Sequence, residues 1–209
     1  MLKYERELWD QGYRLVAGVD EVGRGCLAGS VVAAAVIFPV GLQIEGVKDS
    51  KQLSSHRREE LYDVIISRCI SVGIGMVDER TIDRINIRQA ARLAMKQAVT
   101  SLKIYPDYLL IDAESVDLDL PQKKIIKGDA LSHSIAAASI VAKVYRDRKC
   151  VEWDALYPGY GLQHNKGYCT REHCDALRAL GPSPIHRRTF LTKILPPAPE
   201  GVQIGFNFV

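Results

Sequence analysis

Gly18-Val19-Asp20-Glu21-Val22-Gly23-Arg24-Gly25 is the stretch on which the reading of this chain turns. The apolar run Leu15-Val16-Ala17-Gly18-Val19 reads as a strand, and it delivers two adjacent carboxylates at its end. A core gains nothing from that order, because ionised carboxylates are costly to bury unless they are paired or hold a metal. The glycines that flank Arg24 supply bare backbone around a guanidinium, and both suit an anion. A divalent cation beside a phosphate accounts for the arrangement, with oxygen ligands for the ion and N–H groups for the anion.

Outward from this stretch, a second strand runs from Gly29 to Phe38 and closes at Pro39; so short a link predicts an antiparallel hairpin. The polar loop Val47-Lys48-Asp49-Ser50-Lys51-Gln52-Leu53-Ser54 follows, and Ser54 or Ser55 caps a helix with Leu61, Val64, Ile65 and Cys69 on one face. Val72 to Val77 reads as a third strand. Ile87, Ala91, Ala94, Ala98 and Leu102 recur at helical spacing, and Tyr108-Leu109-Leu110-Ile111 is a strand that ends in Asp112. A helix between two strands implies a crossover and a parallel pairing, so the pattern predicts an α/β fold with a mixed sheet and helices upon it. On the N-terminal side, Tyr4 to Gln11 forms a short helix or arm. On the C-terminal side, a long helix from about Leu131 to Leu156 carries Ile135, Ser139, Ala142 and Tyr145 on one face, and Pro158-Gly159-Tyr160-Gly161 connects it to a helical region from Thr170 to Leu180. The expected division is a core over 1–157, a helical region of the same domain over 158–194 and an extended tail over 195–209.

A chain of 209 residues with 47% hydrophobic content supports one domain with an appendage. The net charge of +3, from 28 Lys and Arg against 25 Asp and Glu, excludes a binder that neutralises phosphates over its whole surface and leaves room for a local basic groove. Arg57, Arg58, Arg146, Arg148 and Lys149 read as helix surface unless the fold gathers them on the carboxylate side. The charged N-terminus and the absence of a long apolar run predict a cytoplasmic protein with no membrane association, and nothing suggests more than a monomer. Cys26, Cys69, Cys150, Cys169 and Cys174 are odd in number and lack a Cys-x-x-Cys pair, as suits reduced thiols. Cys169, His173 and Cys174 lack a second pair at finger spacing, so a helix carrying a buried thiol is preferred over a zinc site.

Each of Asp20, Glu21, Asp112 and Asp129 sits at the edge of an apolar or structured element. If their strands are parallel neighbours, Asp20 and Asp112 converge at one sheet edge, where a cation relieves their repulsion. Alternation along a strand sends Asp20 and Glu21 to opposite faces, so a common site calls for a local distortion that Gly23 and Gly25 make available. Asp129 follows a glycine and precedes a helix, and spacing alone favours an N-cap there. Glu114, Asp117 and Asp119 read as solvated acids in a turn, and Asp49 as an Asx turn.

Together these motifs resemble bacterial ribonuclease HII, the type 2 ribonuclease H. The resemblance rests on Gly18 to Gly25, on Asp49-Ser50-Lys51-Gln52-Leu53-Ser54, on Leu110-Ile111-Asp112, on Lys127-Gly128-Asp129 leading into Ile135 to Asp147, and on His164-Asn165-Lys166-Gly167-Tyr168. It covers the chain from about residue 14 to 190. It implies a ribonuclease H-like fold, a mixed five-stranded sheet flanked by helices with a C-terminal helical extension that helps hold a duplex. It implies that Asp20, Glu21, Asp112 and Asp129 are the catalytic acids and ligands of two Mg²⁺ or Mn²⁺ ions, with Asp20 bridging. It implies endonucleolytic hydrolysis of the RNA strand of RNA–DNA hybrids and cutting at single ribonucleotides in DNA, leaving 5′-phosphate and 3′-hydroxyl ends. The backbone of Gly23, Arg24 and Gly25 would read the 2′-OH, Tyr168 would stack on the sugar at the junction, and Lys51 and Arg24 would contact phosphate. Two residues depart from the family pattern. Cys26 replaces a usual proline and is expected to loosen the loop, and Cys169 stands where many relatives have glycine or proline; altered efficiency is expected rather than lost activity. Gln203, Phe206 and Phe208 lack the spacing of a clamp-binding peptide, so no clamp contact is expected. Type 3 ribonuclease H, a non-catalytic nucleic-acid-binding module and a phosphoesterase for small substrates are the alternatives.

Overall fold

The computed structural model describes residues 1–48 and 50–195; the turn expected at Asp49 and the tail beyond Leu195, with its clamp-peptide residues, lie outside them. Helix α1 (Lys3–Asp10) precedes β1 (Val16–Val22) and β2 (Val31–Ile37), which pair antiparallel with Val19 opposite Ala35 and Asp20 opposite Ala34. Helix α2 (Ser55–Arg68) starts at Ser54, whose side chain accepts the Arg57 N–H, and β3 (Ser71–Val77) returns antiparallel to β2. Helices α3 (Glu79–Ile85) and α4 (Ile87–Thr100) cross to β4 (Tyr108–Asp112), which pairs parallel with β1; β5 (Gln122–Ile125) adds in parallel beyond it. The remaining helices are α5 (Gly128–Leu131), α6 (His133–Leu156), α7 (Leu162–Asn165) and α8 (Arg171–Leu180). Strand order β3-β2-β1-β4-β5 makes the mixed five-stranded sheet flanked by helices that the motifs implied.

Residue size explains how the layers close. Every residue of β2 is buried, so both sheet faces are covered there. On one face Ala17, Val19, Ala33 and Ala35 meet Ala90, Ala91, Ala94 and Ala98 of α4. On the other, Ala34 and Val36 meet Ala137, Ile140 and Val141 of α6, with Leu61 and Ile65 of α2 behind them. The start of α6 lies so close to β1 that a Cβ on Gly18 would stand 2.0 Å from the Ser134 carbonyl carbon. That contact sets α6 in register with β1 and thereby with Asp20, two residues on and on the same face. Helix α1 is fixed to the same point, because buried Glu5 accepts from the Ser132 and Ser134 hydroxyls at 2.6 and 2.7 Å and from the Ser134 N–H at 2.9 Å.

Periodicity did not mark α3 or β5. β5 is the four-residue run Gln-Lys-Lys-Ile at an outer edge, where exposed lysines discourage pairing with another sheet and leave no alternating apolar pattern. After α6 the chain returns over the front of the sheet, and Leu27 and Ala28 pack with Tyr160, Leu162, Leu177 and Ile185. The loop after β1 is thus part of a second small core shared with α7 and α8. No helix among the described residues is long and apolar enough to cross a membrane.

Candidate active site

Parallel pairing of β1 with β4 places Val19 opposite Ile111, so the next residues of the two strands, Asp20 and Asp112, emerge side by side at the carboxyl edge of the sheet. Asp20 is buried, its carboxylate accepts the Glu21 N–H at 2.8 Å, and the Ser139 hydroxyl hydrogen-bonds to it. Ser139 also bonds Ser50 Oγ at 2.9 Å, which ties the loop before α2 to the floor of the site. Burial above all, then the charges of Glu21 and Asp112, push the Asp20 carboxyl well above the usual carboxylate range. Burial raises Glu21 as well, against the opposing hydrogen bond from Arg24.

The distortion expected between Asp20 and Glu21 is not there. Glu21 stays in register opposite Ala33 and Val22 opposite Val32. The two side chains leave opposite faces as alternation demands, Asp20 towards Ser139 on α6 and Glu21 towards Arg24 and the Glu114 side, where Arg24 Nη1 lies 3.1 Å from Glu21 Oε1 and 3.8 Å from Glu114 Oε1. The Glu21 charge still acts on Asp20 across the sheet edge. The backbone departs from strand geometry only at Gly23, with φ of 91°.

Asp112 takes the capping role that spacing alone gave to Asp129 and still lines the cleft with Asp20. Asp112 Oδ1 accepts the Gly128 N–H at 2.6 Å and so caps the α5 turn, while Asp129 is buried inside that turn and pairs with Lys51 Nζ at 3.3 Å. The cap of α6 is Ser132, which accepts the Ile135 N–H. Burial, and then the nearby Asp129 charge, raises Asp112. Glu114 corrects the reading of the turn after β4: it is buried and holds Arg88 at 3.1 Å, whereas Asp117 and Asp119 are exposed.

Asp20, Glu21, Asp112, Lys51, Ser139, Lys143 and Tyr168 line one cleft of about 140 Å³, so the structure gathers residues from five separate motifs. Among the described residues, no three His, Cys, Asp or Glu side chains already stand in a coordinating group. Arg24 and Lys51 instead occupy oxygens of Glu21 and Asp129, and Glu21 Oε2 is buried with no hydrogen-bond partner. An all-carboxylate donor set with an orphaned buried oxygen fits a hard divalent cation. The cations that would give way are exposed ones: the Lys51 side chain is 81% exposed and that of Arg24 40%.

The loop after β1 is held from beneath by two arginines whose role sequence reasoning missed. Arg146, expected on the helix surface, is fully buried and donates to the carbonyls of Ser30, Ala28 and Lys166 at 3.1, 3.0 and 2.7 Å. Arg187, equally buried, donates twice to the Gly29 carbonyl, at 2.9 and 2.7 Å, and once to that of Arg24, at 2.9 Å. Its pKa falls to about 10, chiefly through burial. With the carbonyls turned inward, the N–H groups of Arg24 and Gly25 have no hydrogen-bond partner among the described residues. Cys26, expected to loosen this loop, is itself held in place. Its N–H, which proline would lack, closes the turn on the Gly23 carbonyl at 3.4 Å, and its buried thiol lies 3.5 Å from the Lys166 carbonyl. Nothing in the sequence near residue 24 pointed to Arg146 or Arg187; only a fold brings them there.

Of the remaining basic residues, Arg58, Arg148, Lys143, Lys166 and His164 line a groove of about 410 Å³ that meets the acidic cleft at Lys143. Glu59 and Asp147 share that groove, where Arg148 pairs with Glu59 and Lys143 and Arg58 with Asp147; Arg57 and Lys149 pair with Glu60 and Glu152. His173, considered with Cys169 and Cys174 as a zinc ligand, is buried with Nδ1 2.9 Å from the Tyr168 carbonyl and Nε2 3.0 Å from His186 Nε2.

The comparisons agree with this geometry. The family model for Ribonuclease HII matches residues 17–193. The chain is 58% identical over 200 residues to a ribonuclease HII of Alkaliphilus metalliredigens, covering 93% of this chain and 98% of that one. It is 55% identical over 197 residues to a ribonuclease HII of Alkaliphilus oremlandii, covering 91% and 97%. The crystal structure of the ribonuclease H2 of Pyrococcus horikoshii superposes with a TM-score of 0.72 at 29% identity, over 86% of this chain and 96% of that one. A family match over most of the chain, relatives identical at more than half of the aligned positions and a shared fold that converges Asp20 with Asp112 leave one conclusion: the chain belongs to the ribonuclease HII family.

Proposed function

We propose that this protein is an endonuclease that hydrolyses the RNA strand of RNA–DNA hybrids, cuts at single ribonucleotides embedded in DNA and leaves 5′-phosphate and 3′-hydroxyl ends. Membership of the family supports the hybrid nuclease and favours type 2 over type 3. The observation that carries the finer reading is the cleft in which Asp20, Glu21 and Asp112 share walls with Lys51, Lys143 and Tyr168, next to a loop whose Arg24 and Gly25 N–H groups have no hydrogen-bond partner among the described residues.

Asp20, Glu21, Asp112 and Asp129 would hold Mg²⁺ or Mn²⁺, which lowers the pKa of bound water and stabilises charge on a leaving oxygen. The chain's own residues do the rest. Asp20 and Asp112, fixed by Ser139 and by the Gly128 N–H, present carboxylate oxygens on the same side of the sheet edge. Arg24 and Lys51, displaced from Glu21 and Asp129, are placed to meet substrate phosphate. The backbone of Gly23, Arg24 and Gly25 approaches the 2′-OH, the group by which RNA is told from DNA at one nucleotide. Tyr168, 40% exposed as a residue, offers its ring as a stacking surface for the sugar. The groove of Arg58, Lys143, Arg148 and Lys166 would track the duplex backbone, and residues 158–194, which bring His164 and Lys166 to that groove, would help to hold it.

The test is incubation of three duplexes with Mg²⁺, Mn²⁺ or chelator: DNA with one ribonucleotide, a continuous hybrid and all-DNA. Metal-dependent cutting of the first two is the expected result. No cut in either metal sinks the nuclease reading, and cutting of all-DNA sinks the assignment of the 2′-OH to the loop.

A further inference from the structure

Helix α8 starts behind Thr170, whose side chain accepts the His173 N–H. The residue before such a cap and the fourth residue of the helix are commonly joined by an apolar contact that fixes the angle at which the chain arrives. In this protein those two positions hold Cys169 and Cys174, and their Sγ atoms are 3.4 Å apart. Cys169 is exposed and Cys174 half-buried, in contrast to the closed-off thiols of Cys26 and Cys150. Among the described residues no third metal-ligating side chain joins the pair, because His173 turns its ring to the Tyr168 carbonyl and to His186.

We propose that Cys169 and Cys174 are a reversible oxidation site whose disulfide sets the position of Tyr168. Proximity, exposure and connection carry the proposal. The sulfurs already touch, and an S–S bond of about 2.05 Å draws them little more than an ångström closer. Hydrogen peroxide, as the oxidant, reaches the exposed Cys169 first. The Cys169 thiolate attacks one peroxide oxygen, an S–O bond forms as the O–O bond breaks, and hydroxide leaves. The Cys174 sulfur then attacks that sulfur, the S–S bond forms, the S–O bond breaks, and the departing hydroxide takes up the thiol proton as water. In sum, two thiols and one peroxide give one disulfide and two waters; a dithiol reductant reverses the change. The bond closes a loop that contains His173, whose Nδ1 holds the Tyr168 carbonyl at 2.9 Å, and Tyr168 itself is the residue before Cys169. Contraction of the loop therefore acts on the ring that lines the acidic cleft. The effect on activity rests on the reading of Tyr168 as a substrate contact; formation of the bond does not.

The test oxidises the full chain with hydrogen peroxide, blocks the remaining thiols and digests with trypsin without reductant. Cleavage after Lys166, Arg171 and Arg178 puts the two cysteines in separate peptides, 167–171 and 172–178, so the disulfide is read as a linked pair. The pair is expected after peroxide, absent after dithiothreitol and absent in Cys169→Ser. On the single-ribonucleotide duplex the oxidised protein should show KM raised about threefold with kcat little changed, restored by dithiothreitol, while peroxide leaves the KM of Cys169→Ser where it was. Thiols that stay free, or that turn into separate sulfinic acids with no linked pair, overturn the site. A linked pair with unchanged KM overturns its action on Tyr168. If the reduced protein cuts no hybrid, the nuclease reading fails while the peptide map still decides the disulfide.

Discussion

The two halves of the stretch Gly18 to Gly25 are built on opposite principles. Asp20 and Glu21 end a regular strand, and their electrostatic strain comes from immediate neighbours: burial, each other and Asp112. Gly23, Arg24 and Gly25 lie in a loop whose shape is imposed from far away, by the Arg187 guanidinium on the Arg24 and Gly29 carbonyls and that of Arg146 on those of Ala28 and Ser30. The first half is costly to hold and needs little support, because a strand end projects side chains by default. The second half costs little locally and depends on two buried cations. Chemistry and selectivity therefore adjoin in the chain while they fail by different routes.

Removing one acid should break that contrast most sharply. Asp20→Asn is expected to reduce hybrid cleavage by about a thousandfold, because several kcal/mol of charge stabilisation pass through the carboxylates. The same change relieves a buried charge set against Glu21 and Asp112, so the thermal midpoint of the metal-free variant should stay level or rise. A lowered midpoint would show that Asp20 supports the fold rather than straining it. Arg146→Met tests the other half. It leaves the carbonyls of Ser30, Ala28 and Lys166 without their donor and should cost about 3 kcal/mol in urea unfolding. Gly23→Ala should cost less, about 2 kcal/mol, since a Cβ there would stand 2.3 Å from Arg146 Nε in a backbone with φ of 91°. If Gly23→Ala proves harmless while Arg146→Met does not, the loop tolerates reshaping from above and only its anchors matter.

Legibility followed the same divide. The hairpin of β1 and β2, the α4 stripe of alanines and the arrival of Asp20 and Asp112 at one edge could be read because strand alternation and helical spacing are local properties. Spacing alone took Asp129 for a cap, a reading that the resemblance overrode, because a glycine, an acid and a helix are spaced the same whether the acid caps the turn or sits inside it; the competing cap, Asp112, lies 16 residues before Gly128. Glu114 and Arg146 were misread for a different reason. Each is a charged residue in a segment that looks solvated until a partner from a distant element, Arg88 for one and the residue 28–30 backbone for the other, closes over it. The five-strand count came from family motifs, since β5 has no pattern of its own.

The smallest expected effect concerns the far support of the same region, the imidazoles beneath Tyr168. The Ser183 N–H donates to His186 Nδ1 at 3.0 Å, which leaves His186 Nε2 to carry the proton towards His173 Nε2. His173 must then hold its proton on Nδ1 and donate it to the Tyr168 carbonyl. A proton added to His173 Nε2 or to His186 Nδ1 breaks the link between the rings or the one from Ser183. Tyr160 packs against both rings, and Arg188 adds an unfavourable positive charge near His186. Burial accordingly lowers His173, and burial with the His173 neighbour lowers His186 to about 4 from the ordinary 6.5. As pH falls below about 6.5 the unfolded chain takes up protons that the folded chain refuses, so stability declines from there down to about 4 and then levels. The expected loss between pH 7 and pH 5 is about 1–2 kcal/mol beyond that of His186→Gln, read from urea midpoints at the two pH values. Equal pH slopes in the two proteins would mean that the imidazole pair is not what acid attacks.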